Sequence, residues 1–122
     1  MARTIISKDG RFEWDADKDR MNRKKHGFSF EEILEVFDDP AFLEGFDWEH
    51  SEKEERYYGL GCLNNILYII VFYTIREADA PKADGKNSVR SVKVERKRII
   101  SARQADNDEQ EEYNDYFKKI NS

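Results

Sequence analysis

The residues in this sequence that are best suited to chemistry are cations concentrated in one late segment. Positions 86 to 103 hold seven cations against a single anion, and the cations are Lys86, Arg90, Lys93, Arg96, Lys97, Arg98 and Arg103. The planar guanidinium group of arginine matches two phosphate oxygens at once and stays charged at physiological pH. The strip is therefore a candidate for holding phosphate, and a solvated face compensated by nearby carboxylates is the alternative.

Two histidines are the other candidates for proton transfer, because imidazole changes its charge near neutral pH. His26 follows Lys25 where a helix is expected to end, so it either moves protons or bonds the last carbonyl groups of that helix. His50 follows Glu49 in a polar stretch, where the two side chains act in acid–base chemistry or form an ordinary turn. The histidines show no recognised metal-ligand spacing, and no glycine-rich phosphate loop stands out. We therefore expect no metal site and no cofactor.

Length and composition restrict the class of protein. A chain of 122 residues is expected to form one domain, residues 1–122. Its net charge of −5 argues against a generally basic nucleic-acid binder. The single cysteine, Cys62, excludes an internal disulfide, and a small core residue is its simplest role. No apolar run reaches the ~18 residues of a membrane span, and Met1-Ala-Arg-Thr is unlike a signal peptide, so we expect a cytoplasmic protein without membrane contact.

Turn and cap residues predict the first elements. The Asp-Gly pair at positions 9 and 10 favours a tight turn, so residues 1–10 are an extension or the first strand of a hairpin. Asp15 is suited to cap a helix over residues 16–26, and Gly27 is suited to end it. Met21 is the main apolar residue that this helix offers to a core.

A second helix is the best-specified element of the sequence. Ser29 and Glu32 have the spacing of a capping box, in which each side chain bonds the other residue's backbone N–H. Pro40 ends the pattern. Between them lies one apolar helical face formed by Phe30, Ile33, Leu34 and Phe37.

The rest of the chain predicts an antiparallel sheet followed by a helix. The predicted strands are 41–46, 56–62, 67–74 and 89–101. The polar segment 78–88 contains Pro and Gly and predicts an inserted mobile loop. Asp106 would cap a last helix whose apolar side is Tyr113, Tyr116, Phe117 and Ile120. The predicted fold is α+β, an antiparallel sheet of about four strands with two N-terminal helices and one C-terminal helix.

Several short motifs occur in order along the chain: Phe12-Glu13-Trp14-Asp15, Lys25-His26-Gly27-Phe28-Ser29-Phe30-Glu31-Glu32, Val36-Phe37-Asp38-Asp39-Pro40, Glu49-His50-Ser51, Glu55-Arg56, Gly59-Leu60-Gly61 and Arg98-Ile99-Ile100-Ser101-Ala102-Arg103. Together they resemble the BrnT family of type II toxins, from about residue 11 to residue 113. The resemblance implies a RelE-like ribonuclease fold and RNA cleavage that halts translation. It also implies a BrnA-like antitoxin partner, with DNA contacted only through the antitoxin when the complex represses its own operon.

RNA cleavage without a metal needs a base for the 2′-hydroxyl proton, cations for the charge on phosphorus, and help for the leaving 5′-oxygen. For the cations we predict Arg98, Arg103 and Arg56, for the base Glu49 or Glu55, and for assistance Lys25 and His26. For RNA binding we predict Arg96, Lys97 and Tyr73.

Each of these residues also has an ordinary structural role open to it. Arg103 could form a salt bridge to the acidic last helix, and Arg56 could pair with Glu55 across strands. Tyr73 could simply pack in the core, and Lys25 could be an exposed lysine.

A second interpretation of the whole chain is a non-catalytic toxin-like module that only binds its partner or co-regulates transcription. The net negative charge, Gln104 where many relatives have a second arginine, and the predicted loop 78–88 favour it.

Overall fold

The computed structural model describes residues 3–82 and 90–122 of the chain. Its elements follow in the order β1 (Thr4–Ile6), β2 (Phe12–Asp15), α1 (Ala16–His26), α2 (Phe30–Ile33), a 3-10 helix (Leu34–Asp38), β3 (Leu43–Phe46), a 3-10 turn (Trp48–His50), β4 (Arg56–Leu63), β5 (Leu67–Lys82), β6 (Arg90–Gln104) and α3 (Asn107–Ile120). The predicted α+β class is confirmed. Within the described ranges, no helix is long and apolar enough to cross a membrane.

The sheet is larger than the sequence predicted, and it is mixed rather than antiparallel. The described strands form one six-stranded sheet in the order β1-β2-β6-β5-β4-β3. The N-terminal hairpin supplies the two additional strands, and β2 runs parallel to β6 with Phe12 opposite Lys97. Phe12 and Trp14 are buried, so the hairpin belongs to the sheet because it completes the core.

Apolar residues cover both faces of this sheet. On one face, here called the α2 face, Val71, Tyr73 and Ile99 pack with Phe30 and Ile33 of α2. On the other, here called the α3 face, a smaller buried cluster contains Ala41, Leu60, Ile70, Ala105 and Tyr113 of α3. Side chains alternate between the two faces along each strand, so register decides which polar residues share a surface.

Helix α1 has the predicted bounds and caps. The Asp15 side chain accepts a hydrogen bond from the Asp17 N–H, and Gly27 adopts a left-handed φ of +84°. The predicted apolar contact is wrong, because Met21 is 69% exposed. Asn22 makes the contact instead: it is 6% exposed, its Oδ1 accepts a hydrogen bond from the Ala102 N–H at 3.1 Å, and its Nδ2 donates to the Phe28 carbonyl at 3.3 Å.

The second helix begins as predicted but changes its winding. The capping box of Ser29 and Glu32 is present with both hydrogen bonds. The α-helix ends at Ile33, and a 3-10 helix continues to Asp38. The tighter segment lies close to β4, where Val36 packs against Gly61. A Cβ added to Gly61 would lie only 2.8 Å from the Val36 carbonyl oxygen. Tertiary packing has therefore overridden the single helix that the sequence favours.

The segment predicted as a mobile insertion is partly strand. Residues 78–82 extend β5 and pair with 90–94 of β6, and the predicted positions 83–88 lie outside the described residues. Asp79 stands opposite Lys93 and forms an ion pair with it at 3.2 Å. Weak strand formers such as Ala and Asp are tolerated here because they face an already formed partner strand.

Candidate active site

One row of directly opposed residues crosses the α3 face. Glu13 of β2 stands opposite Arg98 of β6, Arg98 opposite Thr74 of β5, and Thr74 opposite Arg56 of β4. Opposed residues point to the same face, with Cβ atoms about 5 Å apart. Asp47, which follows β3, contacts Arg56 at the end of the row. We call these five residues the arginine row: a threonine between two arginines, with a carboxylate beyond each arginine.

The two carboxylates hold the arginine side chains in place. Arg98 Nη1 donates a hydrogen bond to Glu13 Oε2, and Arg96 Nη1 lies 3.6 Å from Glu13 Oε1. At the other end, Arg56 Nε lies 3.2 Å from Asp47 Oδ2. A guanidinium group has five N–H donors, so one carboxylate does not exhaust its capacity. Both arginines are therefore oriented and still able to bind an anion.

The centre of the row contains two buried polar atoms without hydrogen-bond partners among the described residues. They are Thr74 Oγ1, on a residue that is 4% exposed, and Arg56 Nε. Arg56 Nε is within ion-pair distance of Asp47, but its N–H does not point along a hydrogen bond. An unsatisfied buried polar group costs about 1–3 kcal/mol and needs an explanation. Two such atoms on opposed residues mark a place where a polar ligand would complete the bonding.

An aromatic ring sits beside the row and orients two arginines. The guanidinium carbon of Arg56 lies 5.0 Å from the Phe72 ring centre, and that of Arg103 lies 5.8 Å from it. Arg103 also donates hydrogen bonds to both Glu109 oxygens at 2.7 and 2.9 Å. The hydrogen bonds to Glu109 raise the pKa of Arg103 despite partial burial. Arg103 therefore has the salt bridge to the last helix that the sequence left open as its alternative role.

Lys25 and His26 lie beside the strand that carries Arg98 and Arg103. They line a cavity of about 610 Å³ between α1 and β6, together with Met21, Ile100 and Ser101. Ile100 and Ser101 fall between the two arginines along β6. The end of α1 is thus next to the arginine-bearing strand, which is the placement that a supporting role for these residues requires.

The two predicted bases occupy different surroundings. Glu49 is exposed in the 3-10 turn that follows Asp47. Glu55 accepts a hydrogen bond from the Tyr57 hydroxyl at 3.0 Å, and Tyr57 stacks with Tyr73 on the α2 face. Glu55 therefore does not pair with its neighbour Arg56, which points to the α3 face.

The three predicted RNA-binding residues do not form one surface. Tyr73 has no exposed surface, its hydroxyl donates to Glu44, and burial is the main cause of its raised pKa. The prediction that Tyr73 binds RNA is therefore wrong, because its ring is inside the core and cannot stack on a base. Lys97 stands opposite Ile75 on the α2 face, near the Phe37 ring.

Arg96 lies on the α3 face and is the one member of this set beside the arginine row. Its Nε donates a hydrogen bond to the Gly10 carbonyl at 3.0 Å, which ties it to the N-terminal turn. The cationic strip is thus divided between the two faces by strand alternation.

Sequence reasoning missed three residues of the row, Glu13, Thr74 and Asp47, and it considered His50 only together with Glu49. His50 Nδ1 lies 3.1 Å from both carboxylate oxygens of Asp47. Alternation could have found Glu13, because it sits between the apolar Phe12 and Trp14 and must face the other way. The sequence alone does not reveal a role for Asp47 or Thr74, because their contacts with the arginines are made between segments that are distant along the chain.

The comparison with protein families agrees with the motifs. The family model for the ribonuclease toxin BrnT of type II toxin–antitoxin systems matches residues 14–109, a range that includes Arg56, Thr74, Arg98 and Arg103. None of the curated proteins compared matches the chain. Within residues 3–82 and 90–122, no three His, Cys, Asp or Glu side chains come together as a metal site. The chain belongs to the BrnT family of ribonuclease toxins, which implies an antitoxin partner and an RNA target.

Proposed function

We propose that this chain is an endoribonuclease toxin that cleaves RNA without a metal ion, and that the arginine row holds the phosphate at which the RNA is cut. The observation that carries the proposal is the buried Thr74 hydroxyl, which has no hydrogen-bond partner among the described residues and belongs to a residue that stands between Arg56 and Arg98 in the sheet. A phosphate oxygen would accept from that hydroxyl and from N–H groups on either side.

The row suits the charge that develops during cleavage. Attack of the 2′-oxygen on phosphorus places extra negative charge on the non-bridging oxygens. Arg56 and Arg98 are already oriented by their carboxylates, so they need little reorganisation as this charge appears. Removing one such donor typically costs about 10²–10³-fold in rate.

The remaining predicted residues act from the edges of the row. Arg103 is bound to Glu109 of α3 and lies over the Phe72 ring, and Lys25 and His26 lie at the end of α1 beside β6. Arg103, Lys25 and His26 support the leaving 5′-oxygen. Of the two bases predicted from sequence, only Glu49 lies on the turn that begins beside Asp47, because Glu55 is turned to the α2 face.

The partner is a BrnA-like antitoxin that blocks the row and carries the DNA-binding domain through which the complex represses its operon. The cavity between α1 and β6 has an apolar lining from Met21 and Ile100 beside Lys18, Lys24 and Lys25. A segment of the antitoxin with an apolar side chain between carboxylates would fit such a surface. The toxin acts on translated RNA, which places its action in the cytoplasm.

A non-catalytic module remains the second candidate, and one observation favours it. Each of the three candidate arginines already contacts a carboxylate, namely Glu13, Asp47 or Glu109. In a module that only binds its partner, these pairs would be permanent structural contacts.

RNA cleavage in EDTA separates the two candidates. The purified chain without antitoxin is compared with Arg98→Ala and with Arg20→Ala, a control that removes an exposed arginine of α1. We expect cleavage by the wild type and by Arg20→Ala, and a loss of about 10²-fold in Arg98→Ala. A folded wild type that binds its antitoxin but cleaves no RNA would refute the enzyme and leave the binding module.

A further inference from the structure

The turn after β3 holds the imidazole of His50 against Asp47, the last residue of the arginine row. His50 Nδ1 lies 3.1 Å from both oxygens of Asp47, and Asp47 Oδ2 also lies 3.2 Å from Arg56 Nε. The Asp47 side chain is 11% exposed, whereas that of His50 is 56% exposed. One nearly buried carboxylate thus joins a solvent-accessible imidazole to the arginine that stands opposite Thr74.

The turn is built by hydrogen bonds that do not depend on the His50 ring. The Asp47 N–H donates to the Arg56 carbonyl at 2.8 Å. The Ser51 hydroxyl donates to the Asp47 carbonyl at 2.6 Å and accepts from the Arg56 N–H at 3.0 Å. These bonds close the loop between Asp47 and Arg56, so the backbone that carries His50 is set by the fold, and the Asp47 carboxylate orients the ring.

The Asp47 carboxylate next to Nδ1 determines which nitrogen of the His50 ring can take a proton. With the Nδ1–H donating to Asp47, the neutral ring has Nε2 unprotonated and directed away from the carboxylate. A carboxylate that orients a neutral imidazole in this way is the arrangement by which many enzymes prepare a histidine base. Asp47 and Arg56 are the charged groups that contact this unit.

We infer that His50 is the general base that removes the 2′-hydroxyl proton during RNA cleavage, in place of Glu49, and that Asp47 is the positioning residue that orients it. This inference rests on the proposed ribonuclease function. It explains why an exposed polar turn carries a histidine bound to a nearly buried carboxylate next to the arginine row.

The proton and bond changes balance without an oxidant or a metal. His50 Nε2 takes the proton of the 2′-hydroxyl, and the 2′-oxygen forms a bond to phosphorus while the bond from phosphorus to the 5′-oxygen breaks. The 5′-oxygen takes a proton from water, and the proton that His50 later releases neutralises the hydroxide. The products are a 2′,3′-cyclic phosphate and a 5′-hydroxyl end.

The test is chemical rescue of His50→Ala in the full-length chain. We expect its single-turnover cleavage rate to fall at least about 100-fold, with thermal stability unchanged because the ring is exposed. Added imidazole should restore part of the lost rate, since it can occupy the vacated space and take the proton. The matched control is Glu52→Gln, an exposed residue of the same loop, which should cleave at the wild-type rate with or without imidazole.

The outcomes distinguish this inference from the proposed function. If the wild type cleaves RNA and His50→Ala cleaves at a similar rate, or loses activity that imidazole does not restore, His50 is not the base while the ribonuclease proposal stands. If the wild type cleaves no RNA, both fail together.

The positioning role of Asp47 has a spectroscopic readout of its own. The ¹⁵N shifts of the His50 ring should show an Nδ1–H tautomer in the wild type, and Asp47→Asn should shift the population toward the other tautomer. A wild-type ring that carries its proton on Nε2, or a tautomer that Asp47→Asn leaves unchanged, would contradict the assignment.

Discussion

At the scale of the residue, the main feature is a buried threonine whose hydroxyl has no bonding partner among the described residues. A fold selected only for stability would favour valine there, because valine has the same shape and no hydroxyl to satisfy. Thr74 therefore points to a trade between stability and activity, of the kind found where a site is prepared for a ligand.

Replacing Thr74 with valine tests that trade. We expect the free energy of unfolding to rise by about 1 kcal/mol, because an unsatisfied hydroxyl is removed from the interior. RNA cleavage should fall at least about 10-fold, because a donor to the phosphate is lost. Urea denaturation and single-turnover cleavage measure the two effects. A less stable Thr74→Val that cleaves normally would show that the hydroxyl serves the fold.

The tyrosines of the core predict how stability depends on pH. Burial and the hydrogen bond to Glu44 raise the pKa of Tyr73 above its usual 10.0, and burial with the hydrogen bond to Asp39 raises that of Tyr113. The unfolded chain therefore loses these protons first as the pH rises. We expect the contribution of these two tyrosines to the free energy of unfolding to be constant below about pH 10 and to decrease above it.

Urea denaturation between neutral and strongly alkaline pH measures this effect. Tyr73→Phe should show a shallower decrease above pH 10 than the wild type, because one of the shifted groups is gone. Equal slopes in the two proteins would contradict the shift assigned to Tyr73.

At the scale of the element, α1 is held to the sheet by a polar contact that a hydrophobic pattern cannot reveal. The sequence predicts Met21 as the apolar contact, whereas Asn22 satisfies the Ala102 N–H on β6 and the Phe28 carbonyl. Strand β2 pairs with β6 only from Lys97 to Ile99, so the side chain of Asn22 completes the bonding farther along the strand.

Exchanging Asn22 for alanine should therefore destabilise the protein by about 1–3 kcal/mol, because a buried backbone N–H loses its acceptor. Met21→Ala is the matched control, and an exposed substitution of this kind should stay within about 0.5 kcal/mol of the wild type. Both values come from urea denaturation. Equal effects at the two positions would show that α1 is attached by its apolar residues after all.

Local signals predicted the elements well, and pairing between elements escaped them. The caps at Asp15, Ser29 and Asp106 are all present because they depend on hydrogen bonds within a few residues. The parallel pairing of β2 with β6, the 3-10 helix after Ile33 and the strand character of 78–82 depend on distant partners. The candidate site follows the same division: its arginines were predicted from sequence, but the row they form with Thr74 results from register.

At the scale of the whole molecule, the acidic net charge and the cationic site are compatible. The sheet separates the cations of β6, so that Arg96 and Arg98 lie on the α3 face and Lys97 lies on the α2 face. Carboxylates of β2, the turn after β3 and α3 then hold the arginines on the α3 face. A small oriented group of cations can bind one phosphate without a basic surface around it.

The proposed ribonuclease site requires that Arg56 and Arg98 act together on one phosphate through their guanidinium forks. The most direct measurement is the single-turnover rate of RNA cleavage in EDTA for the wild type and for the double variant Arg56→Lys with Arg98→Lys. Lysine keeps the positive charge opposite Asp47 and Glu13, so the fold is preserved, but it cannot bind two oxygens in a plane. We predict cleavage by the wild type and a loss of at least about 10²-fold in the double variant at similar thermal stability. A double variant that cleaves RNA as fast as the wild type would show that the two guanidinium groups do not hold the phosphate.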